Sequence, residues 1–301
     1  MGAMTTSPLI GVLGPGGIGG LLAAVLARGG NRVVMLASES ASRAIADRGI
    51  RIESQRFGDF EVTVPSATRL ETSAEACLVA VKSMHLRDAL GRVPSASLGD
   101  CLIVPFLNGI DHVDLLREVY PPDSVVAATI RTESARIATG VIRQTSPFAS
   151  IEIAPPDAAR DRVERLADRL RAVGFDVRVR TDEATMLWDK LSFLAPLALM
   201  TTHKRANAGA IRTRWRTETL AVISEVAAVA LADGAAVDPE AVTRFLDSVP
   251  EGMESSMQRD QAADRPLELE AIGGAVVRRA ARCGVDVPVT ARLVDELRKP
   301  D

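Results

Sequence analysis

The stretch from Ile10 to Ser38, "IGVLGPGGIGGLLAAVLARGGNRVVMLAS", decides the fold. An apolar run opens it, glycines crowd its middle, an Ala/Leu-rich segment continues it and a second apolar run closes it. That order reads as strand, turn, helix, strand. Gly14, Gly16 and Gly19 form GxGxxG after the predicted strand and at the head of the predicted helix, the context in which this motif holds a dinucleotide. Gly14 permits the tight turn, Gly16 lets backbone approach a pyrophosphate, and Gly19 lets helix pack on strand, with the helix N-terminus facing the anion. Gly14, Pro15, Gly16, Gly17, Ile18 and Gly19 are therefore the expected phosphate cradle. A ligand-free glycine-rich turn is the competing reading.

The adenosine end of such a site sits after the second strand, where an acid takes the ribose hydroxyls or an arginine takes a 2′-phosphate. Here "VVMLASESASR" offers Ser38, Glu39 and Arg43. Glu39 points to NAD, Ser38 with Arg43 to a phosphate, and each is equally readable as a solvated loop residue. The residues leave the choice open.

Working outward, "RVVMLA", "CLVAVK" and "CLIVPF" repeat the alternation of apolar runs with helical stretches, which is the βαβ rhythm of a parallel sheet. Val33–Leu36, Leu78–Val81 and Leu102–Val104 are continuously apolar, as expected for strands covered on both faces. "RIESQRFGDFEVTVPSAT" reads as a more polar hairpin, and the stretch from Ala128 to Ala154 as further β structure with a turn at Gly140. A helix is expected over Ala158–Val173, ended by Gly174, with "FDVRVRT" as the last strand. From Thr181 the composition turns to Ala, Leu, Glu and Arg at helical spacing, with Asp182 as a candidate cap. The expected architecture is an N-terminal α/β Rossmann domain over 1–181, doubly wound and mainly parallel, followed by an all-α domain over 182–301.

The 301 residues suit about two domains of roughly 150 each. Acidic and basic side chains nearly balance, 39 against 36, so no field favours nucleic acid or an anionic membrane, and a small-molecule partner is expected. Cys77, Cys101 and Cys283 show neither CxxC nor metal-ligand spacing, so reduced thiols and no metal are expected. Met1–Met4 reads as a vector-derived remnant. With no signal peptide before the first strand and no spanning apolar run, the expected location is the cytoplasm.

Chemistry-bearing residues cluster at recognisable places. Lys82 follows the buried run "CLVAV" at a strand's C-terminal end, the edge where open α/β sheets bind ligands, and Asn108 follows the next strand beside Gly109. The bland readings are a surface lysine and an Asn-Gly turn. In "LWDKLSFLAPLALMTTHKR", Lys190 opens an otherwise apolar helix. A desolvated lysine there has a lowered pKa and serves as a general acid, whereas a snorkelling lysine would do nothing. "SSMQRDQAADRPLELEAIGG" places Ser256 and Glu268 around a polar turn, where they also pass for a cap and a first-turn acid. His85, His112 and His203 lack partners at triad spacing and are read as surface or structural.

Taken in order, "GPGGIGG", "VAVKSMHLRDAL", "VPFLNGI", "WDKLSFLAPLAL", "SSMQRDQAADRPLELEAIGG" and "GVDVP" resemble the ketopantoate reductase family across nearly the whole chain. The resemblance implies a Rossmann domain, a helical domain and a cleft where NADPH reduces a 2-keto acid to the hydroxy acid. NADH is not excluded, and pantothenate biosynthesis is the associated setting. It implies Lys190 as the catalytic lysine, Glu268 as the cleft glutamate touching substrate chemistry and cofactor, and Ser256 as the substrate serine. Asn108 and Lys82 fall at its cleft amide and lysine, and Ala135 near a backbone contact to the cofactor. A homodimer is an assembly left open.

Two departures stand out. The family carries asparagines four and eight residues after the lysine to bond the substrate, whereas this chain has Leu194 and Ala198. Pro196 between them is expected to disturb the helix by removing one amide donor. Ser38 stands where many members have an arginine for the 2′-phosphate. The leading expectation is a nicotinamide-dependent reductase of a 2-keto acid or related carbonyl, not optimised for ketopantoate itself. The alternative is a dinucleotide-sensing regulatory protein without turnover.

Overall fold

A computed structural model describes residues 8–299, so Met1–Met4 lies outside the described residues. The chain divides into two compact units: the residues up to Leu107 with His112–Glu183, and Asn108–Asp111 with Ala184 onward. The divide falls two residues after Thr181, and the short segment Asn108–Asp111 joins the second unit.

Along the first unit run β1 (Leu9–Leu13), α1 (Gly17–Arg28), β2 (Arg32–Leu36), α2 (Glu39–Arg48), β3 (Ile50–Ser54), β4 (Phe60–Val62), β5 (Ser66–Ala67) and β6 (Ala76–Val79). Then come α3 (Leu86–Leu90), β7 (Leu102–Pro105), α4 (Asp111–Val119), β8 (Ala127–Arg131), β9 (Ser134–Ala138), β10 (Val141–Gln144), β11 (Ser150–Ala154), α5 (Arg160–Ala172) and β12 (Asp176–Val179). The central sheet has the order β5-β2-β1-β6-β7 and is parallel throughout, with Ile10 level with Val33 on one side and Ala76 on the other. Its inner strands are apolar because both faces are covered: Ile10, Val12, Met35, Leu78 and Val104 are fully buried, as are Leu21, Leu22 and Leu26 of α1. Strand order reverses between β1 and β6. The C-terminal ends of those two strands therefore form the switch point at which such sheets bind ligands.

The remaining strands do not extend that sheet as a single parallel layer. They form β4-β3-β10-β9, with β3 and β10 parallel and the other pairs antiparallel, and β12-β11-β8, with β11 antiparallel to β8 and parallel to β12. The hairpin turn at Gly140 adopts φ +77°. Cys77 and Cys101 are buried thiols, and burial pushes Cys101 up to about 12.

The second unit is helical: α6 (Glu183–Lys204), α7 (Ala208–Thr213), α8 (Arg216–Ala232), α9 (Pro239–Ser248), α10 (Ser256–Ala262), α11 (Leu269–Cys283) and α12 (Pro288–Arg298). Asn207, Asp238 and Ser255 cap α7, α9 and α10 through their side chains, and Gly284 ends α11 in the left-handed region. Pro196, expected to disturb this helix, does not end it. α6 continues through it over 22 residues, with Trp188, Leu191, Ala195, Leu197 and Leu199 all buried around it. Proline in a helix interior costs about 3 kcal/mol, and burying even two such apolar side chains at roughly 1.5–3 kcal/mol each offsets that. Among the described residues no helix is long and apolar enough to cross a membrane, and no cluster of three metal-ligating side chains occurs.

Candidate active site

The glycine loop is shaped by steric contacts that separate the roles of its members. Gly14 has φ +106°, and a Cβ there would lie 2.7 Å from Val81 Cγ1 and 2.9 Å from the Ala80 carbonyl, just past the end of β6. At Gly19 an added Cβ would sit 1.9 Å from the Gly14 carbonyl, so only glycine lets α1 lie this close to the turn. Gly17 is pressed against β9, where a Cβ would be 2.3 Å from the Ser134 carbonyl and 2.9 Å from Ala135 Cα, and Ser134 Oγ donates to the Gly17 carbonyl at 2.8 Å. Gly16 differs from these three. Its nearest neighbour to a Cβ is the Ala80 carbonyl at 3.7 Å, so the fold itself leaves room there. Gly16 is also the N-cap of α1 and offers the first-turn amides no side-chain acceptor. Open backbone at a helix N-terminus, at the switch point of a parallel sheet, fits the pyrophosphate of a dinucleotide.

The same region collects other expected residues. Pro15 and Ile18 are half-buried in the loop, Lys82 is half-buried at the head of the short turn after β6, and Ala135 is exposed on β9 beside Gly17. Ser38 is the exposed N-cap of α2, with its Oγ 3.4 Å from Ser40 Oγ. Arg43 is ion-paired with Glu39, one turn back on α2. The two residues that argued for opposite cofactors thus pair with each other, both largely exposed.

In the helical unit, Asn108 Nδ2 donates to Glu268 Oε2 at 3.0 Å. Glu268 is buried at the N-cap of α11, and Gly109 secures the contact. Gly109 has φ +84°, and a Cβ on it would lie 2.0 Å from the Ala271 carbonyl in the first turn of α11. Asn108 is thus placed by its glycine neighbour against that turn. Lys190 is half-buried on α6, and α11 packs on α6 where Gly273 faces Leu199, a Cβ there being 2.8 Å from Leu199 Cδ2.

One turn on from Lys190 the helix presents Phe193 and Leu194, both half-buried, and Phe193 meets Phe245 of α9 edge-on at 4.7 Å between centroids. Ala198, expected among the substrate contacts, is wholly buried. Each four-residue step turns an α-helix by about 40° beyond a full circle, so the eighth residue has rotated roughly 80° away from the lysine. Ser256 is exposed at the first position of α10, while its neighbour Ser255 is buried, caps the helix and accepts from Thr201 Oγ1 at 2.8 Å. The cap is therefore Ser255. Sequence reasoning passed over Ser255, Phe245 and the Phe193 pairing because nothing local marks them. His85 is exposed, His112 is buried on α4, and His203 bonds Glu296 at 2.6 Å.

A parallel switch-point sheet with an open glycine cradle, joined in one chain to helices bearing a lysine and a buried glutamate, defines a dinucleotide-dependent oxidoreductase. The chain belongs to the ketopantoate reductase family: the pattern described as "Ketopantoate reductase PanE/ApbA" matches residues 10–158, and that of its C-terminal part matches 183–301. It is an oxidoreductase acting on a keto group. A relative named 2-dehydropantoate 2-reductase, from Mycobacterium tuberculosis strain H37Rv, is 28% identical over 294 residues, covering 95% of each chain. Two solved structures share the fold. D-mandelate dehydrogenase with NADH and anilino(oxo)acetate superposes with a TM-score of 0.86 at 19% identity, covering 95% of this chain and 96% of that one. A PanE/ApbA family ketopantoate reductase from Ralstonia eutropha JMP134 gives 0.85 at 24%, covering 96% and 97%.

Proposed function

We propose that the protein reduces a 2-keto acid with an apolar tail, using NADPH held at Gly14–Gly19 with Lys82 and Ala135 contributing around it. A nicotinamide bound there would supply the hydride that the keto carbon receives. The rest is the chain's own work. The Lys190 ammonium stabilises the alkoxide as it forms and protonates it, and the Glu268 carboxylate keeps that ammonium charged and aimed. Asn108 holds Glu268 in turn, while Asn108 and Ser256 retain donors for the substrate carboxylate. The observation that carries this reading is the buried Glu268, fixed by Asn108 at the head of a helix that packs on the one bearing Lys190. The named relatives are reductases and a dehydrogenase, which favours turnover over the dinucleotide-sensing alternative.

The tail preference follows from Leu194. A substrate hydroxyl buried against it without a partner costs about 1–3 kcal/mol, roughly tenfold to a hundredfold in kcat/KM. The test compares kcat/KM for ketopantoate with that for aliphatic and aryl 2-keto acids, in the native protein and in Leu194→Asn. The native protein is expected to favour the apolar acids and the variant to narrow the gap. Best turnover of ketopantoate by the native protein would restore a place in pantothenate biosynthesis and overturn the apolar reading.

A further inference from the structure

The chain has serine where an arginine commonly ends the second strand, and Arg43 nearby is held by Glu39. A different element supplies a guanidinium at the same edge. We propose that Arg92 recognises the 2′-phosphate of the cofactor, an inference that rests on the dinucleotide use proposed above.

Arg92 lies just beyond α3, half-buried, and its Nη1 donates to the Ala37 carbonyl at 2.9 Å and the Thr68 carbonyl at 3.1 Å. Those carbonyls follow the C-terminal ends of β2 and β5, and Ala37 immediately precedes Ser38. The side chain is thus carried to the adenosine-selecting edge of the sheet and fixed there by one nitrogen. No carboxylate among the described residues pairs with it, in contrast to Arg43. A guanidinium offers five N–H donors in a planar fork that matches phosphate, and one already anchored by carbonyls loses little freedom on binding. Glu39, the acid of this edge, is paired with Arg43 and largely exposed, so solvent screens its repulsion of a phosphate. The Ser38 and Ser40 hydroxyls lie beside each other at the start of α2 and add neutral donors to the same edge. Cation, hydroxyls and a screened carboxylate together select a 2′-phosphate over a bare ribose.

The test needs no turnover: calorimetric titration of 2′,5′-ADP and of ADP into the native protein, Arg92→Gln and Arg92→Ala. The glutamine removes the charge and, ending two bonds short of the guanidinium nitrogen that meets the two carbonyls, gives up those contacts as well. The native protein should bind 2′,5′-ADP about tenfold or more tightly than ADP, the scale of one charge-assisted pair. Arg92→Gln should erase that preference with ADP affinity unchanged, and Arg92→Ala should erase it too, whatever either costs in melting temperature. No native preference for 2′,5′-ADP, or an equal loss of both probes in Arg92→Gln, would overturn the proposal and leave Arg92 as a staple between strands. Native binding of neither probe, nor of NADH, would instead overturn the dinucleotide reading beneath it.

Discussion

The Asn108 amide meets the Glu268 carboxylate at 3.0 Å, although the two residues stand 160 positions apart in the chain. The contact lies where Gly109 fits against the first turn of α11, so backbone geometry rather than side-chain reach sets it. A buried carboxylate that loses a donor costs about 1–3 kcal/mol. Asn108→Ala should therefore lower unfolding free energy by that amount and reduce kcat/KM. Asn108→Asp should be worse on both counts, since it sets a second carboxylate against Glu268. Denaturant midpoints and initial rates on the two variants check this, and an aspartate tolerated as well as asparagine would refute the pairing.

Gly16 and Gly19 should fail in opposite ways. A side chain at Gly16 meets nothing closer than 3.7 Å, so Gly16→Asp should fold with a native melting temperature yet lose dinucleotide binding, its carboxylate standing where the pyrophosphate belongs. Gly19→Ala places a methyl 1.9 Å from the Gly14 carbonyl and should cost stability, on the order of the 1–3 kcal/mol typical of overpacking. Cofactor fluorescence titration with thermal melts separates the two. Native affinity in folded Gly16→Asp would remove the cradle from the account.

Glu152 gives the first unit a defined pH dependence. It is buried on β11 and bonds Arg131 and Arg180, each at 2.6 Å. Burial alone would raise its pKa, but the two guanidinium hydrogen bonds outweigh it and hold the carboxyl below the usual glutamate range. Its contribution is therefore present above the ordinary glutamate value and lost as pH falls through the lowered one. Breaking the buried group's pairs should cost roughly 1–3 kcal/mol, discounted because both arginines are about one-third exposed. Melting temperatures of native protein and Glu152→Gln should differ at pH 7 and converge in strong acid. A gap that persists unchanged at low pH would show that the bridge is not its source.

Much of the fold was legible because it is written locally. The strand-glycine-helix order from Ile10, the doubly apolar strands and the switch to helical spacing after Thr181 all follow from periodicity and backbone freedom. What stayed hidden depends on partners distant in the chain. Nothing local says that β3 pairs in parallel with β10, or that Asn108 bonds Glu268. Pro196 is a case of the same kind, since its local penalty is visible in sequence and the packing around α6 that offsets it is not. Ser255 and Ser256 are indistinguishable in sequence, and only the helix start decides which caps α10. Arg92 escaped notice because its side chain acts at β2 while its backbone lies beyond α3.

The most direct measurement is the rate of NADPH oxidation, followed by nicotinamide absorbance, when apolar 2-keto acids are added to native protein and to Lys190→Ala. The account predicts turnover by the native protein and a loss of kcat on the order of a hundredfold or more in the variant, with cofactor affinity little changed, as expected when a general acid and alkoxide donor is removed. A correctly folded Lys190→Ala with near-native kcat, or a native protein that binds NADPH and oxidises it with none of these acids, would contradict it.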